Sequence, residues 1–232
     1  MRLAVIPARG GSKRIPRKNI LPFAGRPMIG WAIQAARESG LFDAIVVSTD
    51  DEEIASVARQ LGARIPFMRP AALADDHAAT LPVVAHAIRA CAEQGLAADE
   101  VCCIYPGVPL LRGEDLCDGH DLLLPGHYTF PVLAFGSPIQ RALRRTPAGD
   151  TVPFHPEHTH TRTQDLEPAY HDAGQFYWAH AQTWLAGLPV HQHARTLVLP
   201  STRAVDIDTP ADWLRAEVLF RAQVVDTAEA LA

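Results

Sequence analysis

Short apolar runs alternate with amphipathic stretches along the first half of the chain. The apolar runs are bounded by Gly, Pro or Asp, which is typical of buried strands, and lie at residues 3–6, 44–48 and 101–105. The amphipathic stretches carry apolar side chains at helical spacing and lie at residues 27–39, 52–61 and 80–94. This alternation predicts an α/β fold, a Rossmann-like doubly wound sheet of mostly parallel strands, whose ligand lies beyond the carboxyl ends of the strands.

The pattern changes near residue 128. Residues 128–170 contain strand-like runs broken by Pro and Gly, and predict a small β-rich insertion or arm within one domain spanning residues 1–232. Alternation then returns, with 204–207 as a predicted strand and a final helix from Pro210 to about residue 223. Thr209 is the expected cap of that helix, with Asp212 at its third position.

The arm also carries three closely spaced histidines, His155, His158 and His160. They are open to two interpretations, a hydrated strand or a metal site, and the hydrated strand is the more common case.

Composition narrows the function classes. The chain has 232 residues, 48% hydrophobic and 20% charged, and a net charge of −5, which argues against nucleic-acid and acidic-membrane binding. We find no apolar run of about 18 residues, and the apolar start is too short for a signal-peptide core. The four cysteines show no CxxC spacing, which favours free thiols in a reducing compartment. We therefore expect a cytoplasmic protein.

A basic, glycine-containing loop follows the first predicted strand directly. Residues 7–19 hold adjacent glycines, Gly10 and Gly11, whose backbone N–H groups can turn toward an anion. Five cations surround them, namely Arg9, Lys13, Arg14, Arg17 and Lys18. The loop lacks the GxxxxGK[ST] and GxGxxG spacings. It predicts a site for a phosphate chain, with a solvated basic loop as the alternative.

Residues 6–19 closely resemble the signature of the CMP-sialic acid synthetase family, which transfers CMP from CTP to a 2-keto sugar acid. The resemblance implies that Arg9, Ser12 and Lys18 contact phosphates and act in catalysis, and that Asn19 lies near the cytosine. It also implies nucleotide contacts by the residues that shape the turn, which are Ala8, Gly10 and Gly11.

Three later segments resemble the same family in the same order. Residues 69–74 resemble the segment that frames the cytosine, and imply binding by Arg69 and Thr80; a loop leading into a helix is the alternative. Residues 105–111 depart from the family pattern, because Tyr105, Gly107 and Leu111 stand where Gln, Thr and Arg are common.

The third of these segments is 206–210. Asp206 and Asp208, two residues apart on a predicted strand, would share one face and suit Mg²⁺ or Mn²⁺, as the resemblance also implies. The alternative is that Asp208 belongs to the cap of the final helix.

The remaining matches concern the sugar. Residues 162–170 resemble the family's Arg-x-Gln-Asp segment, and residues 170–178 resemble the branch that activates pseudaminic acid. These matches imply a set of sugar-binding residues: Arg162, Gln164, Tyr170, Asp172 and Gln175.

Together the matches imply condensation of CTP with a nonulosonic acid, pseudaminic acid in the first place, to give the CMP-sugar and pyrophosphate. The alternatives are the same reaction on N-acetylneuraminate, legionaminate or Kdo, and a non-catalytic nucleotide-binding relative. The resemblance also implies a homodimer formed through the arm.

Overall fold

The computed structural model describes residues 1–75 and 78–230. Its strands are β1 (Arg2–Pro7), β2 (Pro22–Phe23), β3 (Arg26–Pro27), β4 (Ala44–Ser48), β5 (Glu100–Ile104), β6 (Tyr128–Ala134), β7 (Leu143–Arg145), β8 (Thr151–Pro153), β9 (Tyr170–Asp172), β10 (Phe176–His180) and β11 (Ala194–Leu199). Its helices are α1 (Met28–Glu38), α2 (Glu52–Gln60), α3 (Thr80–Glu93), α4 (Gly113–Asp121), α5 (Ala181–Leu185) and α6 (Pro210–Ala230).

The central sheet has the strand order β11-β6-β10-β5-β1-β4, and β9 pairs with β6 at one end. β1 is parallel to both of its neighbours, β4 and β5, and β11 is parallel to β6. β10 and β9 run antiparallel to their partners. The predicted α/β class with a mostly parallel sheet is therefore confirmed.

Side chains of β1 alternate between two apolar clusters, one on each face of the sheet. Ala4 and Ile6 pack with α1, α2 and α4, whereas Leu3 and Val5 pack with α3 and α5. All four side chains are fully buried, because helices cover both faces. Because helices cover both faces of the sheet, the loops that follow β1, β4 and β5 meet at the carboxyl ends of these strands.

A third apolar cluster joins the two ends of the chain. Phe23 contacts the rings of Trp213 and Phe220 on α6 edge to face, and Ile207 is buried in the same cluster. The predicted cap of α6 is confirmed: the Thr209 amide donates to Asp212 Oδ2 at 2.7 Å, and the Asp212 amide donates back to Thr209 Oγ1 at 3.3 Å. This packing holds residues 206–208 beside the N-terminal loop.

Residues 204–207 were predicted to form a strand, and the structure contradicts this. Ala204 and Ile207 are buried as the pattern suggested, but the segment pairs with no strand among the described residues. Side chains bind single carbonyls here instead: Lys18 Nζ donates to Ile207 O, and Gln175 Nε2 donates to the preceding carbonyl, Arg203 O, at 2.8 Å. Asp206 and Asp208 therefore belong to an extended connector into α6.

Helix α4 was not predicted, because its sequence is polar and contains two glycines. The Arg112 amide donates to Asp115 Oδ2 at 2.9 Å, which caps the helix, and Leu116 packs into the core. A Cβ at Gly119 would lie 2.6 Å from Phe176 Cε2, so the glycine permits close packing against β10.

The predicted arm, 128–170, begins with a segment that the structure places in the central sheet as β6. Residues 135–169 lie outside that sheet and contain the β7–β8 hairpin. The histidine-rich part of the arm forms a short 3-10 turn, Pro156–His158, rather than a strand. No group of three or more metal-ligating side chains occurs among residues 1–75 and 78–230.

No helix in the described part of the chain is long and apolar enough to span a bilayer.

Candidate active site

A cleft of about 280 Å³ opens at the carboxyl edge of β1, β4 and β5. Its walls come from the loop after β1, the start of α3, the segment after β5 and the connector into α6. The lining residues are Pro7, Arg9, Ser12, Lys18, Asn19, Arg69, Ala78, Thr80, Val83, Tyr105, Pro106, Gly107, Gly174, Asp206, Ile207 and Asp208. Most of the candidates for nucleotide, catalytic and metal contacts thus face one cavity.

The loop of residues 7–19, called the glycine turn from here on, is held against the loop after β4. The Ala8 amide donates to Ser48 O at 2.9 Å, and the Gly10 amide donates to Asp50 Oδ1 at 3.0 Å. A Cβ at Gly10 would lie 2.6 Å from Asp51 Oδ2, whereas a Cβ at Gly11 would meet nothing within 4 Å. Gly10 is therefore required for close packing on Asp51, and Gly11 faces open space.

Arg17 anchors the far end of the turn. Its backbone adopts a left-handed φ of 57°, a conformation that costs energy for a residue with a side chain. Its guanidinium makes two hydrogen bonds to Asp51 and a further one to Glu53. The hydrogen bond from Arg17 holds the pKa of Asp51 below its usual range, and Asp51 also caps α2 by accepting from the Ile54 amide at 3.0 Å.

Asn19 closes the turn from inside. Its side chain is buried, and its amide Nδ2 donates to Arg9 O at 2.9 Å. The Asn19 carbonyl accepts from the Ile29 amide at 2.8 Å, which joins the turn to α1. Asn19 Oδ1 is buried with no partner among the described groups, so one acceptor at the cleft wall remains for a donor.

Three polar side chains of the turn line the cleft as predicted for a phosphate site: Arg9, Ser12 and Lys18. Arg9 Nη1 donates to Asp75 O at 3.0 Å, and the Lys18 ammonium lies across the cleft against the connector into α6. Both cations line the same cleft, which suits a polyanion lying along the turn.

Arg69 is buried behind the cleft. Its Nε donates to Ser48 Oγ at 3.1 Å, its Nη2 donates to Ser48 O, and its amide donates to Thr49 O at 2.7 Å. Burial lowers the pKa of Arg69. Its donors toward Ser48 thus hold the loop after β4, while part of the side chain faces the cavity.

Thr80 stands at the first turn of α3, and its Oγ1 lies 2.8 Å from the Tyr105 hydroxyl. Burial raises the pKa of Tyr105, so the phenol stays protonated. From the sequence, Tyr105 was noted only because it stands where the family commonly has Gln. Its hydrogen bond to Thr80 was not predicted. A phenol directly after a buried strand was the available signal.

The two carboxylates of the connector differ in their surroundings. Asp208 Oδ2 accepts from Arg14 Nη2 at 2.8 Å, and Asp208 Oδ1 lies 3.5 Å from Lys18 Nζ. No ion pair or hydrogen bond from residues 1–75 or 78–230 reaches the Asp206 carboxylate. Partial burial, and then the charge of Asp208, raise the pKa of Asp206.

These two residues fit a hard divalent cation. Mg²⁺ is usually held by one or two carboxylates and completes its shell with water and substrate phosphates, so a third protein ligand is unnecessary. The raised pKa of Asp206 reflects carboxylates crowded in a partly desolvated wall, which a cation would relieve.

None of the five candidate sugar-binding residues lines this cleft. On the arm, Arg162 directly precedes a 3-10 turn, Thr163–Asp165, which contains Gln164, and Tyr170 is exposed on β9. Asp172 accepts from the Tyr177 hydroxyl and His191 Nε2, each at 2.8 Å, and from the Gly174 amide. Gln175 is buried and donates to Arg203 O at 2.8 Å. Their role toward a sugar remains a prediction.

Solved structures identify the class of fold. The structure of CMP:2-keto-3-deoxy-manno-octonic acid synthetase complexed with CTP superposes with a TM-score of 0.68 at 19% identity, and the match covers 96% of this chain and 99% of that one. At that identity the likeness shows the fold alone, which is that of a nucleotidyltransferase.

Sequence comparison is more specific. Pseudaminic acid cytidylyltransferase of Campylobacter jejuni is 41% identical over 222 residues, which cover 94% of this chain and 96% of that protein. CMP-N,N'-diacetyllegionaminic acid synthase of Legionella pneumophila is 33% identical over 227 residues, covering 94% and 95%. The cytidylyltransferase family model matches residues 3–121. The chain belongs to the cytidylyltransferase family.

Proposed function

We propose that this protein condenses CTP with a nonulosonic acid, pseudaminic acid in the first place, to form the CMP-sugar and pyrophosphate. The observation that carries the proposal is the convergence of Arg9, Lys18 and the Asp206/Asp208 pair on one cleft. The 41% identity to a pseudaminic acid cytidylyltransferase over nearly the whole chain supports this choice of acid.

The phosphate chain of CTP would lie along the glycine turn. Arg9 and Ser12 would donate to phosphate oxygens from one wall, and Lys18 would approach the same phosphates from the connector. Donors fixed in place before the reaction stabilise charge that develops on the α-phosphoryl oxygens and on the leaving pyrophosphate. The anomeric hydroxyl of the sugar would attack in line with the leaving oxygen.

We assign the nucleoside to the side of the cleft between Arg69 and Thr80. Arg69 holds the loop after β4 through Ser48, and Thr80 presents a hydroxyl paired with Tyr105. The buried acceptor of Asn19 and these hydroxyls offer complementary partners for the amine and carbonyl of a cytosine.

Asp206 and Asp208 would hold Mg²⁺, or Mn²⁺ in its place. Such an ion, when bound, neutralises phosphate charge and lowers the pKa of an attacking hydroxyl. Asp208 is already held by Arg14 and Lys18, and Asp206 faces the cavity beside Gly174. Both carboxylates thus line the cleft together with residues of the glycine turn.

The arm suggests how the sugar half of the site is completed. Large apolar side chains are between 41% and 57% exposed on it, namely Phe135, Ile139, Leu143, Val152 and Phe154. Exposed apolar patches of this kind mark contact surfaces. We propose that a second copy of the chain covers them, and that the arm carrying Arg162 and Gln164 reaches the partner's cleft. Because CTP is consumed, we expect this homodimer to work in the cytoplasm.

The proposal is tested with purified protein, CTP and Mg²⁺, supplied separately with pseudaminic acid, legionaminic acid, N-acetylneuraminic acid and Kdo. Pyrophosphate release and the mass of the CMP-sugar are recorded. We expect the fastest turnover with pseudaminic acid. Faster turnover with another acid would reassign the substrate, and CTP binding without turnover of any acid would favour a non-catalytic relative.

Asp208→Asn removes one charge from the connector and should lower turnover by at least about 100-fold. Asp118→Asn makes the same chemical change on the exposed face of α4 and serves as the matched control. Equal activity of the two variants would remove the metal role assigned to Asp208.

A further inference from the structure

The two carboxylates that we propose to hold the cation, Asp206 and Asp208, differ in their contacts with the protein's own basic side chains. Asp208 contacts two cationic side chains, Arg14 at 2.8 Å and Lys18 at 3.5 Å. Asp206, two residues earlier, contacts none within the described ranges 1–75 and 78–230. A divalent ion held by these two residues would therefore have to share the Asp208 oxygens with Arg14 and Lys18, or displace one of them.

The two cations on Asp208 are held very differently. The Lys18 side chain is 21% exposed and its ammonium is fixed by the Ile207 carbonyl. The Arg14 side chain is 65% exposed, and the contact with Asp208 Oδ2 is the hydrogen bond that its guanidinium makes in the described structure. Arg14 is thus the cation that can leave at small cost, because exposed ion pairs contribute little to stability.

Arg14 also lies on the glycine turn, two residues after Ser12. If Arg14 released Asp208, its side chain would remain on the loop that we propose to bind the triphosphate. Its guanidinium can then pair bidentately with phosphate oxygens instead of a carboxylate.

We propose that Arg14 is a built-in counter-ion, which occupies Asp208 Oδ2 in the free protein and is displaced when a divalent cation arrives with the triphosphate. This inference rests on the proposed function. It assigns Arg14 two roles: it neutralises the charge of Asp208 before the nucleotide binds, and it binds the phosphates afterwards.

The proposal predicts effects of opposite sign on two ligands. Removing the guanidinium takes away a competitor for Asp208, so the divalent cation alone binds more tightly. It also takes away a phosphate partner, so the nucleotide binds more weakly. A side chain that only supports the fold of the loop would weaken both when removed.

The experiment measures Mn²⁺ binding by electron paramagnetic resonance, without nucleotide or sugar, on the full-length chain and on Arg14→Gln. CTP affinity is measured by calorimetry with Mg²⁺ and no sugar acid, so that no turnover occurs. Arg59→Gln is the matched control, because Arg59 makes an exposed ion pair with Glu52 at 4.0 Å on α2, and neither residue lines the cleft. Thermal unfolding of each variant verifies that the fold is kept.

We expect Arg14→Gln to bind Mn²⁺ about twofold to fivefold more tightly than the unaltered chain, the range that an exposed ion pair implies. CTP affinity should fall by a similar factor, and Arg59→Gln should leave both affinities unchanged. Unchanged or weaker Mn²⁺ binding by Arg14→Gln would overturn the inference. Absence of Mn²⁺ binding by every variant would overturn it too, while CMP-sugar formation in the complete assay would leave the proposed function standing.

Discussion

Replacing Gly10 by Ala tests whether the packing of Gly10 on Asp51 determines the shape of the glycine turn. The added Cβ would lie 2.6 Å from Asp51 Oδ2 and 3.0 Å from Asp51 Cβ, so the side chain of Asp51 must move. Moving it breaks the cap of α2, which costs about 1 kcal/mol. It also loosens the partly buried ion pair with Arg17, and even a surface ion pair contributes as much as about 1 kcal/mol.

We therefore expect Gly10→Ala to lower the free energy of unfolding by about 1 to 2 kcal/mol. The measurement is urea unfolding followed by far-ultraviolet circular dichroism. Gly11→Ala is the matched control, since its Cβ would meet nothing within 4 Å, and it should unfold like the original chain. CTP affinity should fall in Gly10→Ala as well, because loosening the contact between Arg17 and Asp51 displaces the turn that carries Arg9 and Ser12.

A double-mutant cycle separates this clash from a general effect of alanine. Asp51→Gly removes the groups that the new Cβ would strike, and glycine at a helix cap costs only a few tenths of a kcal/mol. In that background Gly10→Ala should cost close to nothing. An undiminished cost in the Asp51→Gly background would refute the packing argument.

Three further predictions concern other parts of the molecule. Lys18→Met should lower kcat/KM for CTP by about 100-fold, because it removes one fixed donor to the phosphates; steady-state kinetics with a fall below about threefold would count against the assignment. Burial holds the pKa of His86 below 6.5, so the unfolded chain binds the proton more readily and stability is lost as the pH falls below 6.5. His86→Gln should flatten the pH dependence of the unfolding free energy in that range, and an unchanged slope would contradict this. Leu143→Glu places a charge on the exposed arm and should shift the mass measured by light scattering from dimer to monomer, whereas a monomeric parent chain would refute the proposed interface.

The fold was readable from the sequence where local pattern and tertiary environment agree. Residues 3–6 and 44–48 are continuous apolar runs, and both became strands buried on two faces. Residues 204–207 show the limit of the same reasoning. Ile207 is buried against α6 and the N-terminal loop, and Ala204 is buried against Leu133 and Leu199. Neither packing brings a neighbouring strand that would complete a ladder within the described part of the chain.

The position of the cleft that we propose for the phosphates could be anticipated for a topological reason. Loops that follow parallel strands meet at one edge, so residues 7–19 were expected to face a ligand beyond the carboxyl ends of the strands, where the cleft is found. The partners that hold those loops were not foreseen. Asp50 and Asp51 carry no motif, and their contacts with Gly10 and Arg17 depend on the distance between two loops, which sequence spacing does not encode.

The sugar half is the least predictable part. Arg162 and Gln164 were assigned by resemblance, and within one chain they lie on an arm outside the cleft. Asp172 illustrates a second difficulty, since its carboxylate oxygens already accept from Tyr177, His191 and the Gly174 amide. A carboxylate that is suited to a sugar hydroxyl is equally suited to these internal donors, and only the packed structure decides between them.

The most direct test of the central claim is a competition for limiting CTP. The protein is given Mg²⁺ and equal concentrations of pseudaminic acid, legionaminic acid, N-acetylneuraminic acid and Kdo, and the CMP-sugars are quantified by mass spectrometry. Their ratio reports relative kcat/KM directly. We predict that CMP-pseudaminic acid predominates and that Asp208→Asn forms product at least about 100-fold more slowly. Predominance of another CMP-sugar, or undiminished product formation by Asp208→Asn, would contradict the account.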